Sequence, residues 1–193
     1  MGKVGKIILL VILGLILVVG FQSCSRYNKM VSGDEEVKTA WAQVQTVLKR
    51  RADLIPNLVN TVKGYASHEK ETLTAVTEAR AKVGQAKTIP EQVKANTALS
   101  SALGRLMVVV ERYPDLKANQ NFLQLQDELA GTENRIATER RRYNLAVKNY
   151  NLTIRRFPGN IYAGLFGFER AVPFKAPESA QEAPKVDFSN KSG

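Results

Sequence analysis

Hydrophobic and polar positions divide this chain into an apolar N-terminal segment and a longer region with a helical repeat. Residues 7–21 are all apolar or glycine, and they closely follow two lysines. Beyond them, apolar residues recur in steps of three and four, and between residues 122 and 157 they fall seven positions apart. A seven-residue period is typical of helices that pack along a supercoiled seam. The pattern therefore predicts an all-α protein, with an N-terminal membrane helix followed by a long antiparallel, coiled-coil-like four-helix bundle.

Capping and breaking signals predict where the helices of the bundle begin and end. They favour helices over about 34–66, 68–86 and 89–112, and a fourth that is capped by Tyr113-Pro114-Asp115 and ends near residue 156. Ser32 and Glu35 have capping-box spacing before the first helix, and Thr88 and Glu91 have it before the third. Pro56 lies inside the first helix, so that helix should kink or leave the carbonyl of Ala52 unpaired.

Long charged side chains interrupt the apolar seams at a few positions. If the first and fourth helices pack antiparallel with level ends, Arg51 and Glu139 lie at the same height, and Arg80 of the second helix falls nearby. One hypothesis is a buried polar layer of Arg51, Arg80 and Glu139 that fixes the register of the helices. The alternative is that these long side chains reach water at the edge of the seam.

The apolar segment, residues 1–25, has two interpretations, and both attach the protein to a membrane. Extended from residue 4 to residue 24, it reaches the roughly 20 residues that a spanning helix needs. Its lipid-facing residues would include Ile7, Leu10, Leu13, Leu17 and Phe21. Alternatively, the segment resembles a lipoprotein signal in which Cys24, the only cysteine, is lipidated.

Charges around the segment bear on which side of the membrane the rest of the chain occupies. Lys3 and Lys6 favour a cytoplasmic N-terminus, but Arg26, Lys29 and Lys38 nearly balance them on the other side. Because the segment also has the features of an export signal, we expect a single-pass protein of the cytoplasmic (inner) membrane with the bundle on the outer, periplasmic face. Lipid anchoring and a cytoplasmic bundle are the alternatives.

Composition narrows the possible chemistry. The chain has 28 basic and 18 acidic residues, a formal charge of +10, but no recognised nucleic-acid reader motif accompanies the surplus. His68 is the only histidine, which excludes metal sites built from several imidazoles. Glu69 and Glu71 are two positions apart and would point to different faces of a helix. We therefore predict a protein that is not an enzyme and has no cofactor, no metal and no nucleic-acid partner.

The segment at residues 157–168 is aromatic and glycine-rich and is predicted to emerge at the membrane end of the bundle. One interpretation is a flap that closes the hydrophobic core. The other is a patch that binds lipid or a membrane protein. Its members would be Ile161, Tyr162, Leu165, Phe166 and Phe168. Residues 26–174 would then form the bundle with its flap, and the proline- and charge-rich residues 175–193 a disordered tail.

A set of local motifs resembles one known family. In order, they are Tyr27-Asn28, Trp41, Lys49-Arg50-Arg51-Ala52-Asp53-Leu54-Ile55-Pro56-Asn57-Leu58-Val59, Lys63-Gly64-Tyr65-Ala66, His68-Glu69, Ala79-Arg80, Tyr143-Asn144, Tyr150-Asn151, Phe157-Pro158 and Gly167-Phe168. Together they resemble the bacterial LemA family from Tyr27 to Phe174. The resemblance implies one N-terminal membrane segment, a long helical bundle and no established activity. It also implies a topology with the short N-terminus outside the cell, which would make the bundle cytoplasmic.

These observations predict a non-enzymatic, membrane-anchored helical scaffold of the bacterial cell envelope. Its expected partners are membrane lipid and another envelope or membrane protein. The alternative is an accessory or regulatory subunit of a membrane enzyme, or a bundle that binds a ligand.

Overall fold

The computed structural model describes residues 2–174, apart from several side chains between residues 3 and 19. Its helices are α1 (Lys3–Tyr65), α2 (Lys70–Gln85), α3 (Ile89–Val110), α4 (Pro114–Lys117), α5 (Gln120–Arg155) and α6 (Gly159–Phe166). The described residues contain no strand, which confirms the all-α prediction. In this part of the chain, no helix has both the length and the apolar character that crossing a membrane requires. The predicted disordered tail, 175–193, lies outside the described residues.

The chain divides into two compact units. Among the described residues, the first combines residues 2–51 with Ala130–Pro173, and the second combines Ala52–Leu129 with Phe174. The two long helices, α1 and α5, each contribute a section to both units.

Helix α1 is continuous through the position where a helix start was predicted. The predicted capping box of Ser32 and Glu35 is wrong, because both residues lie inside α1 and the amides of that turn bond within the helix. The glycine between them has a packing role instead. A Cβ built on Gly33 would lie 3.2 Å from Cδ2 of Tyr150, so α5 approaches α1 closely at this point. Gly33 thus serves the contact between two helices.

In the first unit, α1 and α5 pack antiparallel along the predicted seam. The rings of Trp41 and Tyr143 lie 5.0 Å apart between centroids, and Gly33 meets Tyr150 seven residues further along α5. Residues later in α5 therefore contact residues earlier in α1, as antiparallel packing requires. The buried seam consists of Met30, Val37, Trp41, Val44 and Leu48 from α1, and Ile136, Tyr143, Val147, Tyr150 and Ile154 from α5.

In the second unit, the end of α1 shares one core with α2, α3, α4 and the beginning of α5. Its most buried members are Ile55, Leu58, Val62, Val76, Leu99, Leu106, Leu116 and Phe122. The predicted capping box before α3 is present: the Thr88 hydroxyl accepts from the amide of Glu91, whose carboxylate accepts from the amide of Thr88. This reciprocal pair fixes the turn between α2 and α3.

Two helix boundaries in the second unit differ from the prediction. Helix α2 begins at Lys70, and the side chain of Glu69 accepts hydrogen bonds from Arg112 and Tyr113 and makes no capping bond. The predicted fourth helix is interrupted before α5. There the Asn119 side chain caps α5 by accepting from the amide of Phe122 at 3.0 Å. A local cap at Asn119 therefore sets the start of α5, whereas Glu69 is bonded to residues that follow α3.

Candidate functional site

The N-terminal part of α1 exposes apolar side chains on every side. Four successive residues, Leu10 to Leu13, are 64%, 59%, 54% and 50% exposed, and Leu17 and Phe21 are 65% and 80% exposed. Successive helical residues are rotated by about 100°, so residues 10–13 cover most of the circumference. A helix on the surface of a soluble domain normally buries one apolar stripe. The side chain of Ile7 lies outside those described. Cys24, just beyond this segment, is an exposed free thiol.

Helix α6 lies against the part of α1 that follows this apolar segment. The rings of Phe166 and Phe168 approach the ring of Tyr27, with centroids 5.0 and 5.7 Å apart in edge-on geometry. The hydroxyl of Ser23 donates to the hydroxyl of Tyr162 at 3.2 Å. Within the first unit, these contacts place α6 beside residues 23–27 of α1.

The start of α6 allows no side chain larger than that of glycine. A Cβ added to the buried Gly159 would collide with the carbonyl oxygen of Thr153 in α5 and lie 3.4 Å from Cε of Met30 in α1. The turn before it contains a cis peptide bond between Phe157 and Pro158. The N-terminus of α6 is therefore held against both long helices of the first unit.

The segment after α6 is held by polar contacts with α5. The Asn151 side chain donates to the carbonyl of Ala171 at 2.9 Å and accepts from the amide of that residue at 3.0 Å. The Tyr143 hydroxyl donates to the carbonyl of Val172 at 2.7 Å, and burial raises the pKa of this phenol. Asn151 and Tyr143 thus hold the backbone of this segment in place.

The five predicted patch residues fall on two sides of this arrangement. Tyr162 and Phe168 are partly buried against α1, whereas Ile161, Leu165 and Phe166 remain 58%, 73% and 46% exposed. The apolar patch therefore comprises a fixed inner side and an exposed outer side. We refer below to Ile161 and Leu165, together with the neighbouring Phe157, which is 82% exposed, as the outer face of α6.

The predicted polar layer is not assembled as expected. Arg51, 7% exposed, pairs with Glu133 at 2.8 Å, whereas Glu139 pairs with Arg142 at 2.8 Å within α5. The reason is the register. Trp41 contacts Tyr143. Because the helices are antiparallel, Arg51, ten positions further along α1, lies opposite Glu133, ten positions earlier on α5. Burial lowers the pKa of the Arg51 guanidinium, and the charge of Glu133 partly offsets this effect.

Arg80, the third predicted member, has another role in the second unit. Its Nε donates to the carbonyl of Ala52 at 3.1 Å. That carbonyl lacks its usual helical donor, because Pro56 has no amide hydrogen. Helix α1 remains helical across Pro56, and a side chain from α2 supplies the missing donor.

A polar groove in the second unit was not predicted. It has a volume of about 500 Å³ and is lined by Leu54, Asn57, Asn60, Thr61, Asn121, Gln124, Leu125 and Glu128. Half of these side chains carry amide groups, which both donate and accept hydrogen bonds. The spacing of Asn57 and Asn60, and of Gln124 and Glu128, could have indicated two polar helix faces.

No group of three or more histidine, cysteine or acidic side chains in the described residues is arranged to hold a metal ion. His68 is exposed.

Comparisons with known proteins identify relatives along most of the chain. A protein LemA from Metamycoplasma hominis is 31% identical, covering 86% of this chain and 78% of the relative. Magnetosome protein MamQ 2 from Paramagnetospirillum magneticum is 28% identical, covering 95% of this chain and 75% of the relative. Magnetosome protein MamQ from Magnetospirillum gryphiswaldense is 25% identical, covering 86% of this chain and 75% of the relative.

The model of the LemA family matches residues 40–188, about three quarters of the chain. This range includes the contact of Trp41 with Tyr143, the hydrogen bond from Arg80 to Ala52, and α6. The resemblance found in the local motifs is therefore confirmed, and the chain belongs to the LemA family.

Proposed function

We propose that this protein is a non-enzymatic helical scaffold, anchored in the cytoplasmic membrane of the bacterial envelope by the N-terminal part of α1, that binds another membrane or envelope protein. The observation that carries the proposal is the exposure of apolar side chains all around α1 between Leu10 and Phe21. Apolar surface of this extent is unfavourable in water at roughly 25 cal/mol per Å² and is stabilised by transfer into lipid. Two relatives are named as magnetosome proteins, which supports a membrane association.

Flotation of the full-length chain on a density gradient with lipid vesicles tests the anchor. Leu13→Arg with Leu17→Arg places two charges in the apolar segment, each of which opposes insertion by about 2.5–3.5 kcal/mol. We expect the wild-type chain to float and resist carbonate extraction, and the double variant to stay in the aqueous fraction. Val108→Arg is the matched control, because Val108 is 72% exposed on α3, outside the segment. Wild-type protein that stays in the aqueous fraction would refute the anchor.

Cys24 distinguishes a spanning helix from a lipid anchor. A spanning helix predicts that Cys24→Ser leaves flotation and the mass of the polypeptide unchanged, apart from the substitution itself. If Cys24 is lipidated, the mature chain is shorter and carries the mass of the lipid. The Cys24→Ser variant would then be neither cleaved nor lipidated. Mass spectrometry of protein extracted from membranes measures the difference.

The side of the membrane is tested by thiol labelling in intact cells. In a Cys24→Ser background, Thr46→Cys introduces a thiol at an exposed position of α1. The periplasmic bundle expected from the sequence predicts labelling by a membrane-impermeant maleimide before the cells are opened. Labelling only after disruption would favour a cytoplasmic bundle.

A partner protein is tested by crosslinking from an engineered cysteine next to Tyr162. A scaffold predicts a stoichiometric protein neighbour.

The polar groove favours the second candidate, a ligand-binding or accessory subunit, because its amide groups suit a polar ligand better than an apolar one. For that candidate, Asn57→Ala with Asn121→Ala should abolish ligand-dependent stabilisation and leave crosslinking unchanged.

A further inference from the structure

Helix α6 is held firmly on one side, and its other side is apolar and exposed. Gly159 and Ala163 are buried, and Tyr162 contacts Ser23 of α1. Ile161 and Leu165 stand one helical turn apart on the outer face and are 58% and 73% exposed. The seating of α6 therefore does not require these two large apolar side chains.

The outer face lies close to the proposed anchor. The contacts of α6 with Ser23 and Tyr27 come directly after Phe21, the last residue of the apolar segment. The six helical steps from Phe21 to Tyr27 span only about 9 Å. If the preceding segment enters a bilayer, α6 is placed at the level where that bilayer meets water.

The charges around this position suit an anionic surface. Residues 22–30 of α1 and residues 155–170 around α6 contain five cations and one carboxylate, all of them exposed. The cations are Arg26, Lys29, Arg155, Arg156 and Arg170, and the carboxylate is Glu169. Basic side chains close to a membrane surface are attracted to anionic lipid headgroups.

We propose that α6 is a second membrane contact, an interfacial helix whose outer face enters the headgroup and acyl boundary while the surrounding cations bind anionic headgroups. This inference rests on the proposed anchor. Apolar side chains on one face with basic residues around them are typical of helices that lie in the membrane interface. A protein partner fits less well, because α6 is only about 12 Å long, whereas a stable protein interface buries about 800 Å² per partner.

Lipids brominated at defined depths test this proposal in the full-length chain. Leu165→Trp places a second tryptophan on the outer face, and the native Trp41 is buried 20 residues beyond Phe21 along α1. Leu145→Trp is the matched control, because Leu145 is 57% exposed on α5 in the same unit. Anionic and neutral vesicles are compared, and flotation of every variant is measured in parallel.

We expect bromine placed shallowly in the bilayer to quench the emission of the Leu165→Trp variant at least about twofold more than that of the control, because an interfacial side chain lies about 5–10 Å into the boundary. Quenching should be stronger in anionic than in neutral vesicles, and Arg155→Gln with Arg156→Gln should reduce that difference. A Leu165→Trp chain that floats normally but is quenched no more than the control would overturn the inference and leave the anchor intact. A blue shift without quenching would show that this side chain is shielded by protein and not by lipid, and would overturn the inference equally. Failure of the wild-type chain to float would instead refute the proposed function.

Discussion

The hydrogen bond from Arg80 to Ala52 gives a prediction that depends on the amide hydrogen that Pro56 lacks. Pro56 removes the donor that would serve the Ala52 carbonyl within α1, and the Arg80 Nε replaces it at 3.1 Å. Arg80→Met keeps much of the aliphatic packing but removes this donor. We therefore expect the variant to unfold more easily than the wild-type chain.

The magnitude follows from the surroundings of the carbonyl. Ala52 is only 9% exposed, so its carbonyl would lose a partner in a largely dry environment. Leaving a buried polar group unsatisfied costs about 1–3 kcal/mol. Because the Arg80 residue itself is exposed, water can partly replace it, and we expect a loss of about 1–2 kcal/mol. For a chain of this size, that loss lowers the melting temperature by about 2–8 °C.

A double-mutant cycle with Pro56→Ala isolates the effect. Alanine restores an amide hydrogen that can bond to the Ala52 carbonyl, so Arg80→Met should cost about 0.5 kcal/mol or less in that background. Urea unfolding followed by far-UV circular dichroism measures all four chains, with Lys82→Met as an exposed control on α2. Equal losses from Arg80→Met in both backgrounds would refute the reasoning, because the two substitutions would then act independently.

Three further substitutions test other contacts. Gly159→Val should detach α6, because a Cβ there collides with Thr153. We expect faster proteolysis within α6 at unchanged helix content, and an unchanged rate of proteolysis would contradict this. Burial raises the pKa of Tyr143, so this phenol contributes stability that is present below about pH 10 and lost as pH rises through its folded pKa. Tyr143→Phe should flatten this alkaline loss, measured as unfolding free energy against pH, and should lower stability at neutral pH because Val172 loses its donor. Thr88→Ala should cost about 1 kcal/mol in urea unfolding by removing an N-cap, and a change within error would contradict this role.

The sequence predicted the features that depend on local pattern. The seven-residue spacing of Tyr143 and Tyr150 predicted two seam positions, and both are buried. The Thr88 capping box was confirmed because its two hydrogen bonds lie within four residues of chain. The loss of a helical donor at Pro56 was also predicted, since it is a property of proline itself, but the Ala52 carbonyl is not left unpaired as predicted. Sequence could not show that Arg80 supplies the replacement, because that contact joins residues 28 positions apart.

Register was the main failure, and its cause is physical. A heptad pattern identifies which face of a helix is buried, but it does not fix how far one helix is displaced along the other. The assumption of level helix ends placed Arg51 opposite Glu139. The contact of Trp41 with Tyr143 instead places Arg51 opposite Glu133. Large side chains that fit at one height therefore decide the register, and the ion pairs follow it.

Packing explains two glycines of the first unit but does not explain the outer face of α6. A Cβ on Gly159 would collide with α5, and a Cβ on Gly33 would lie in tight contact with Tyr150, so packing accounts for both glycines. No such packing accounts for Ile161 or Leu165, since both remain largely exposed after α6 is seated by its other side. Polar residues at these two positions would keep every contact that holds α6 and would lower the apolar surface in contact with water. Their exposure therefore separates the part of α6 that folding requires from the part that a membrane surface would stabilise.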